Sequence, residues 1–156
     1  MLSIHIPGRS DLRLEVLVLD YNGTLALDGK MSERVKEHIV RLAEYFEVHV
    51  LTSDTFGSVA QQCRALPVRV KVLASSNHTE EKAQYLEQFN PRQVVAVGNG
   101  ANDQLMLKRA EVGIAVIGPE GCAVEALLSA DVIVHSITEA LGLLLNPKRL
   151  VATLRR

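Results

Sequence analysis

Six apolar segments of strand length recur along the chain, with predicted helices between them. The segments cover residues 14–20, 47–53, 68–74, 93–99, 112–118 and 131–136, and the helices 33–46, 58–65, 80–89, 103–110, 123–129 and 138–145. Several segments are apolar on both faces, as in a parallel sheet that helices cover on both sides. The pattern therefore predicts an α/β fold: a single three-layer, Rossmann-like domain over residues 1–156 with a mainly parallel sheet.

Composition and charge narrow the classes of partner. The chain has 156 residues, 47% of them hydrophobic, which is enough for one buried core. A formal net charge of -1 gives no electrostatic reason to bind nucleic acid or an anionic membrane. The two cysteines form no CxxC pair, and no segment resembles a signal peptide or a membrane span. We therefore expect a cytoplasmic protein with neither nucleic-acid nor membrane partners.

Polar side chains follow the predicted strands at their carboxyl ends. They are Asp20 after the first segment, Thr52 and Ser53 after the second, Lys82 early in the helix after the third, and Asn99, Asn102 and Asp103 after the fourth. In a parallel sheet these ends share one edge, where helix N-termini meet the loops. Carboxylates, a hydroxyl and an ammonium gathered there could bind a phosphate and a metal ion.

Four motifs occur in a fixed order: DYNGT (20–24), LTSD (51–54), Lys82 and GNGAND (98–103). In this order they resemble the motifs of the haloacid dehalogenase (HAD) superfamily. Within it they are most similar to the phosphorylation domain of P-type ATPases, with its DKTGT, TGD and GDGxND motifs. The resemblance implies a HAD-like fold. No cap domain is expected, since too few residues separate Leu25 from Thr52 to form a domain of about 50 residues or more.

The resemblance also implies a role for each site residue. Asp20 would attack phosphorus and form an aspartyl-phosphate. Phosphate would be bound by Thr52, Ser53, Lys82 and Asn102, and Mg²⁺, the implied cofactor, by Asp20, Asn22 through its backbone carbonyl, Asn99 and Asp103. The partner would be a phosphorylated small molecule or protein. An open site without a cap also favours a homo-oligomer.

Asn22 departs from the usual pattern of HAD phosphatases, which have an aspartate there for general acid–base catalysis. An amide cannot transfer that proton, a contribution of about 10²- to 10⁴-fold. Asn99 likewise replaces an acidic residue. Two functions stay open: a phosphatase or phosphotransferase that is slow or selective for activated phosphates, and a weakened phosphate-binding or regulatory module. A receiver domain is disfavoured, because its phosphoacceptor would follow a later strand.

Two further features bear on the site. Asn22-Gly23 and Asn99-Gly100 are Asn-Gly pairs, which deamidate most easily in a mobile loop. The five histidines, His78 among them, lack the spacing of metal ligands, so they are predicted to be structural or surface residues.

Overall fold

A six-stranded parallel sheet forms the centre of the fold. The computed structural model describes residues 1–53 and 57–156. Its strands are β1 (Leu2–Ile4), β2 (Leu12–Leu14), β3 (Val16–Asp20), β4 (Glu47–Thr52), β5 (Arg69–Val72), β6 (Val94–Gly98), β7 (Val112–Val116) and β8 (Val132–Val134). The last six pair in parallel in the order β5-β4-β3-β6-β7-β8. Strand order reverses between β3 and β6, and such a reversal opens a ligand crevice at the carboxyl ends.

Helices connect the strands as the periodicity predicts. They are α1 (Glu33–Leu42), α2 (Val59–Cys63), α3 (His78–Tyr85), α4 (Gln104–Arg109), α5 (Val124–Ser129), α6 (Ile137–Leu145) and α7 (Pro147–Leu154). Asn77 caps α3 by accepting the N–H of Glu80 at 3.2 Å, and Ser136 caps α6 in the same way through Glu139 at 3.2 Å. Within the described residues, no helix has the length and apolarity that crossing a membrane requires.

The sheet is covered on both faces, which confirms the three-layer α/β prediction. Leu17 and Leu19 of β3 belong to one buried cluster, together with apolar residues of α1 and α6. Val16 and Val18 point the other way, into a second cluster with residues of α4 and α5. All five residues of β3 are buried. The strand that ends in Asp20 is therefore held rigidly from both sides.

The amino-terminal hairpin corrects one boundary. The predicted first central strand begins at residue 14, but β3 begins at Val16, and Leu14 pairs with Leu2 in a separate antiparallel sheet of β1 and β2. In β2 the buried Leu12 and Leu14 flank the exposed Arg13, the alternation of a strand with one covered face. The predicted segment thus contains parts of two strands with different partners, and Glu15 separates them.

Candidate active site at the carboxyl edge of the sheet

Lys82 lies at the centre of the candidate site. Its Nζ donates hydrogen bonds to Asp20 Oδ1 at 2.7 Å, to Asp103 Oδ1 at 2.7 Å and to Asn102 Oδ1 at 3.0 Å. An ammonium has three protons, so these acceptors use all of them. The Lys82 side chain is only 2% exposed. The structure therefore brings together four residues that the sequence separates by up to 83 positions along the chain.

Backbone geometry explains how Asp20 and Asp103 come to face Lys82. Asp20 is the last residue of β3, and Asp103 ends the 3₁₀ turn Ala101–Asp103 after the neighbouring strand β6. Asp103 Oδ2 accepts the N–H groups of Asn99 at 3.0 Å and Gly100 at 2.9 Å. A Cβ at Gly98 would lie 2.5 Å from the Asp103 carboxylate, so only glycine leaves room for this carboxylate.

The two carboxylates and one ammonium leave the site with surplus negative charge. Burial raises the pKa of Asp20 from 3.8 to about 7, and the nearby Asp103 charge adds to the rise, while Lys82 and Thr24 oppose it. Burial by itself disfavours the Lys82 ammonium, but the two carboxylates outweigh burial and raise the pKa of Lys82. A divalent cation or a proton would balance this charge.

The oxygens around Thr24 fit a hard cation. Its hydroxyl lies 2.9 Å from Asp20 Oδ2 and 3.1 Å from Asn99 Oδ1. Because a hydroxyl has one proton, it cannot fully serve both acceptors. Oxygen donors of this kind suit Mg²⁺. Among the described residues, no group of three or more His, Cys, Asp or Glu side chains is arranged to hold a metal. A metal here would therefore depend on amide and carbonyl oxygens as well as carboxylates.

Asn22 lines the same cleft as Asp20, and one of its two polar side-chain atoms has no hydrogen-bond partner among the described residues. Its Nδ2 donates to Thr52 Oγ1 at 3.3 Å. Its Oδ1 is buried and has no hydrogen-bond partner among the residues that the structure describes. A buried acceptor without a donor costs free energy, so this oxygen marks a place where a ligand donor would be stabilising.

A cleft of about 240 Å³ opens at this edge of the sheet. Most of the predicted site residues line it, namely Asp20, Asn22, Ser53, Lys82, Asn99 and Asn102. Thr52 and Asp103 do not: their exposed fractions are 1% and 0%, and they lie behind Asn22 and Lys82. Both Asp103 oxygens already accept hydrogen bonds. Asp54, the last residue of the LTSD motif, is outside the described residues.

His78 is a cleft residue that sequence reasoning missed. It is half-buried and lines the same cleft as Asp20 and Asn22. Its position four residues before Lys82 places both side chains on one face of α3. That spacing was the available signal, but it points to the site only once Lys82 has been placed there.

Both Asn-Gly pairs have their glycine N–H groups held in hydrogen bonds. Gly23 N donates to the Ala26 carbonyl at 2.8 Å, and Gly100 N donates to Asp103 Oδ2 at 2.9 Å. Deamidation requires this nitrogen to attack the preceding side-chain amide, so both loops oppose the reaction.

Solved structures provide the comparison for the fold. The cobalt-bound deoxy-D-mannose-octulosonate 8-phosphate phosphatase of Haemophilus influenzae superposes with a TM-score of 0.72 at 13% identity, over 92% of this chain and 94% of that one. The chain has the haloacid dehalogenase fold. The resemblance read from the four motifs is thereby confirmed at the level of the fold.

Two further HAD-fold structures contain ligands or their analogues. The 3-deoxy-D-manno-octulosonate 8-phosphate phosphatase of Moraxella catarrhalis, in complex with magnesium, phosphate and the KDO sugar, has a TM-score of 0.65 at 16% identity and covers 91% of this chain and 94% of that one. A phospho-aspartyl intermediate analogue of phosphoserine phosphatase has a TM-score of 0.62 at 16% identity, and the match covers 83% of this chain and 98% of that one.

Sequence relatives divide into two groups, and no family model matches the chain. An uncharacterized protein of Methanocaldococcus jannaschii is 51% identical over 71 residues, which are 45% of this chain and 76% of that protein. The chain belongs to the same family as this archaeal protein. Cation-transporting ATPase 5 of Schizosaccharomyces pombe is 27% identical over 142 residues, 90% of this chain but 11% of the ATPase. The similarity to P-type ATPases is therefore distant and concerns a small part of them.

Proposed function

We propose that this HAD-fold protein is a Mg²⁺-dependent phosphatase or phosphotransferase that works through an aspartyl-phosphate on Asp20. The observation that carries the proposal is the buried Lys82 ammonium, 2.7 Å from both Asp20 and Asp103 at the strand-order reversal. This arrangement fixes a carboxylate nucleophile beside a positive charge, which phosphoryl transfer needs. The Moraxella and Haemophilus phosphatases of the same fold bind magnesium and cobalt.

Each site residue has a separate role in the proposed reaction. Asp20 is the nucleophile, and Lys82 neutralises charge on the phosphoryl oxygens. One of those oxygens would take the Lys82 proton that is now donated to Asn102 Oδ1 at 3.0 Å, the longest of the three Lys82 hydrogen bonds. Asn102 and Ser53, which line the cleft, are further phosphate ligands, together with Thr52 once a ligand displaces the Asn22 amide that lies in front of it. Bound Mg²⁺ would be held by Asp20, the Asn22 carbonyl, Asn99 and Asp103, and it would offset negative charge on the phosphate. Since both Asp103 oxygens are already engaged, Asp103 also serves to position Lys82 and the 98–103 loop.

Asn22 determines which substrates suit the site. Its amide cannot protonate a leaving oxygen or activate water. Acyl phosphates and phosphoanhydrides leave without that help, whereas alkyl phosphate esters need it. The protein should therefore transfer activated phosphates readily and hydrolyse alkyl esters and its own aspartyl-phosphate slowly.

A second function is favoured by the same residue. A site that keeps its phosphate ligands but has Asn22 in place of an acid could serve as a phosphate-binding or regulatory module. The unpartnered Asn22 Oδ1 supports this candidate, because a bound ligand with a hydroxyl or N–H donor would satisfy it without any turnover.

We further propose that residues 1–156 act as one domain on a phosphorylated small molecule or protein. The cleft opens directly to solvent at the edge of the sheet. A macromolecular substrate, or a neighbouring copy in a homo-oligomer, would cover it.

Phosphate release from acetyl phosphate and p-nitrophenyl phosphate, with and without Mg²⁺, tests the two functions. Wild type is compared with Asp20→Asn and Asn22→Asp. Mg²⁺-dependent turnover that Asp20→Asn abolishes supports the enzyme. Activity that appears only in Asn22→Asp supports the binding module.

A further inference from the structure

Three ionisable side chains line the cleft among the described residues: Asp20, His78 and Lys82. Asp20 is the nucleophile in the proposed function, and all three Lys82 protons are donated to Asp20, Asp103 and Asn102. His78 differs from both, because no described residue forms a hydrogen bond or ion pair with its ring. Among the described side chains of the cleft, its imidazole is therefore the group left free both to donate and to accept a proton.

The position of His78 suits proton transfer at the leaving group. Asp20 is 6% exposed and forms the floor of the cleft, while His78 is half-buried in its wall, one helical turn before Lys82. A phosphoryl group attacked in line by Asp20 directs its leaving oxygen away from the floor. His78 lines the same cleft and is more exposed than Asp20, as a residue on the side of the departing oxygen and the arriving water would be.

We propose that His78 is the proton-transfer residue for phosphate esters in this protein, in the place where Asn22 cannot act; the inference rests on the proposed function. In the first step Asp20 forms a bond to phosphorus, the ester P–O bond breaks, and protonated His78 gives its proton to the leaving alkoxide, which departs as the alcohol. In the second step neutral His78 takes a proton from water as the water oxygen attacks phosphorus. Asp20 is regained, inorganic phosphate is released, and His78 is protonated again.

The surrounding charges bear on the pH dependence of this transfer. Asp20 and Lys82 face His78 within the cleft, and Asp103 lies behind Lys82 on the adjoining 3₁₀ turn. On α3 itself, Glu81 accepts the N–H groups of Ala74 and Ser75 and thereby faces the preceding loop. Glu120 is the alternative candidate for the proton-transfer role. Its carboxylate packs against Gly23, next to Asn22, so closely that a Cβ on Gly23 would collide with it.

His78→Gln is the central test, with His5→Gln as the matched control. His5 is highly exposed and pairs with Asp11; both residues lie between β1 and β2, and neither lines the cleft. Ester hydrolysis is measured with alkyl and aryl phosphates from pH 5 to 9, and phosphoenzyme from acetyl phosphate is measured by intact mass after acid quench. We expect His78→Gln to lower kcat for alkyl esters at least about tenfold, within the range for general acid–base catalysis. KM and the rate of phosphorylation by acetyl phosphate should stay within about twofold, and phosphoenzyme should accumulate.

Two more variants separate proton transfer from folding and from the rival residue. Asn22→Asp in the His78→Gln background should restore ester hydrolysis, because the new carboxylate can transfer the proton. Glu120→Gln should leave ester hydrolysis unchanged. The inference is overturned if His78→Gln hydrolyses esters like wild type, if Glu120→Gln is the damaging change, or if wild type accepts acetyl phosphate but hydrolyses no ester at any pH. Absence of phosphorylation from acetyl phosphate in wild type and Asp20→Asn alike would instead refute the proposed function.

Discussion

Replacing Asp20 with asparagine should stabilise the metal-free protein and remove its activity. Asp20 and Asp103 are both buried beside a single ammonium, so ionised Asp20 is unfavourable in the folded state. Its pKa rises from 3.8 to about 7 for this reason, chiefly through burial. Folding therefore favours the protonated form, and the stability that it contributes is lost as pH rises from about 4 through 7.

The size of the effect on the free energy of unfolding follows from the rise in the Asp20 pKa. One pKa unit corresponds to about 1.4 kcal/mol, so the whole rise is worth at most about 4 kcal/mol. About two units of the rise fall between pH 5 and pH 8. The advantage of Asp20→Asn in free energy of unfolding should accordingly grow by up to about 3 kcal/mol over that range, with relaxation of the site reducing the figure.

Urea unfolding with a metal chelator, from pH 5 to pH 8, measures this difference. Asp28→Asn is the matched control, because Asp28 is exposed and at φ +50°, a conformation that asparagine also tolerates. Saturating Mg²⁺ should narrow the gap between wild type and Asp20→Asn at pH 8, since a cation stabilises the ionised carboxylate. A gap that is constant with pH, or that matches the control, would refute the account of the buried charges.

Three further outcomes are expected. Asn99→Asp adds a third carboxylate to the site, so it should lower the half-saturating Mg²⁺ concentration at least about tenfold. In the presence of a chelator the same change should lower the protein's melting temperature. Unchanged Mg²⁺ binding in a calorimetric titration would contradict this prediction. Gly98→Ala should destabilise the protein by about 1–3 kcal/mol in urea and weaken Mg²⁺-dependent phosphorylation, because its Cβ would lie 2.5 Å from the Asp103 carboxylate. Gly142→Ala, whose nearest contact is 4.0 Å away, is its control and should be neutral or stabilising. Neither Asn-Gly pair should deamidate in folded protein over weeks at neutral pH, which intact mass and peptide mapping would check, whereas the urea-unfolded chain should lose both amides.

The sheet could be predicted because strand burial leaves a strong pattern. A strand covered on both faces, such as β3, is apolar throughout, and its end is marked by the first charged residue, Asp20. Parallel pairing then places Asp20 and Asn99 at the same edge, which is why the motifs in order were enough to foresee their proximity. The break between β2 and β3 falls at Glu15, and one charged residue within a predicted strand does not by itself mark the strand's end.

Burial within the site depends on contacts that the sequence does not display. Asp103 lies beneath the cleft because Gly98 leaves space for its carboxylate and two N–H groups bind it. The edge strand β5 shows the same limit: its alternating apolar pattern suggests a covered face, but all four of its residues are exposed. His78 could be recognised as a candidate site residue only from the structure, which places it in the same cleft as Asp20.

The central claim is that Asp20 accepts a phosphoryl group, and the direct measurement is phosphoenzyme formation. Wild type and Asp20→Asn are incubated with acetyl phosphate and Mg²⁺, quenched in acid, and analysed by intact mass and peptide mapping. We expect one phosphoryl adduct on Asp20 in wild type, captured by the acid quench, and no adduct in the variant. An adduct on another residue, or neither adduct nor phosphate release in wild type, would contradict the account.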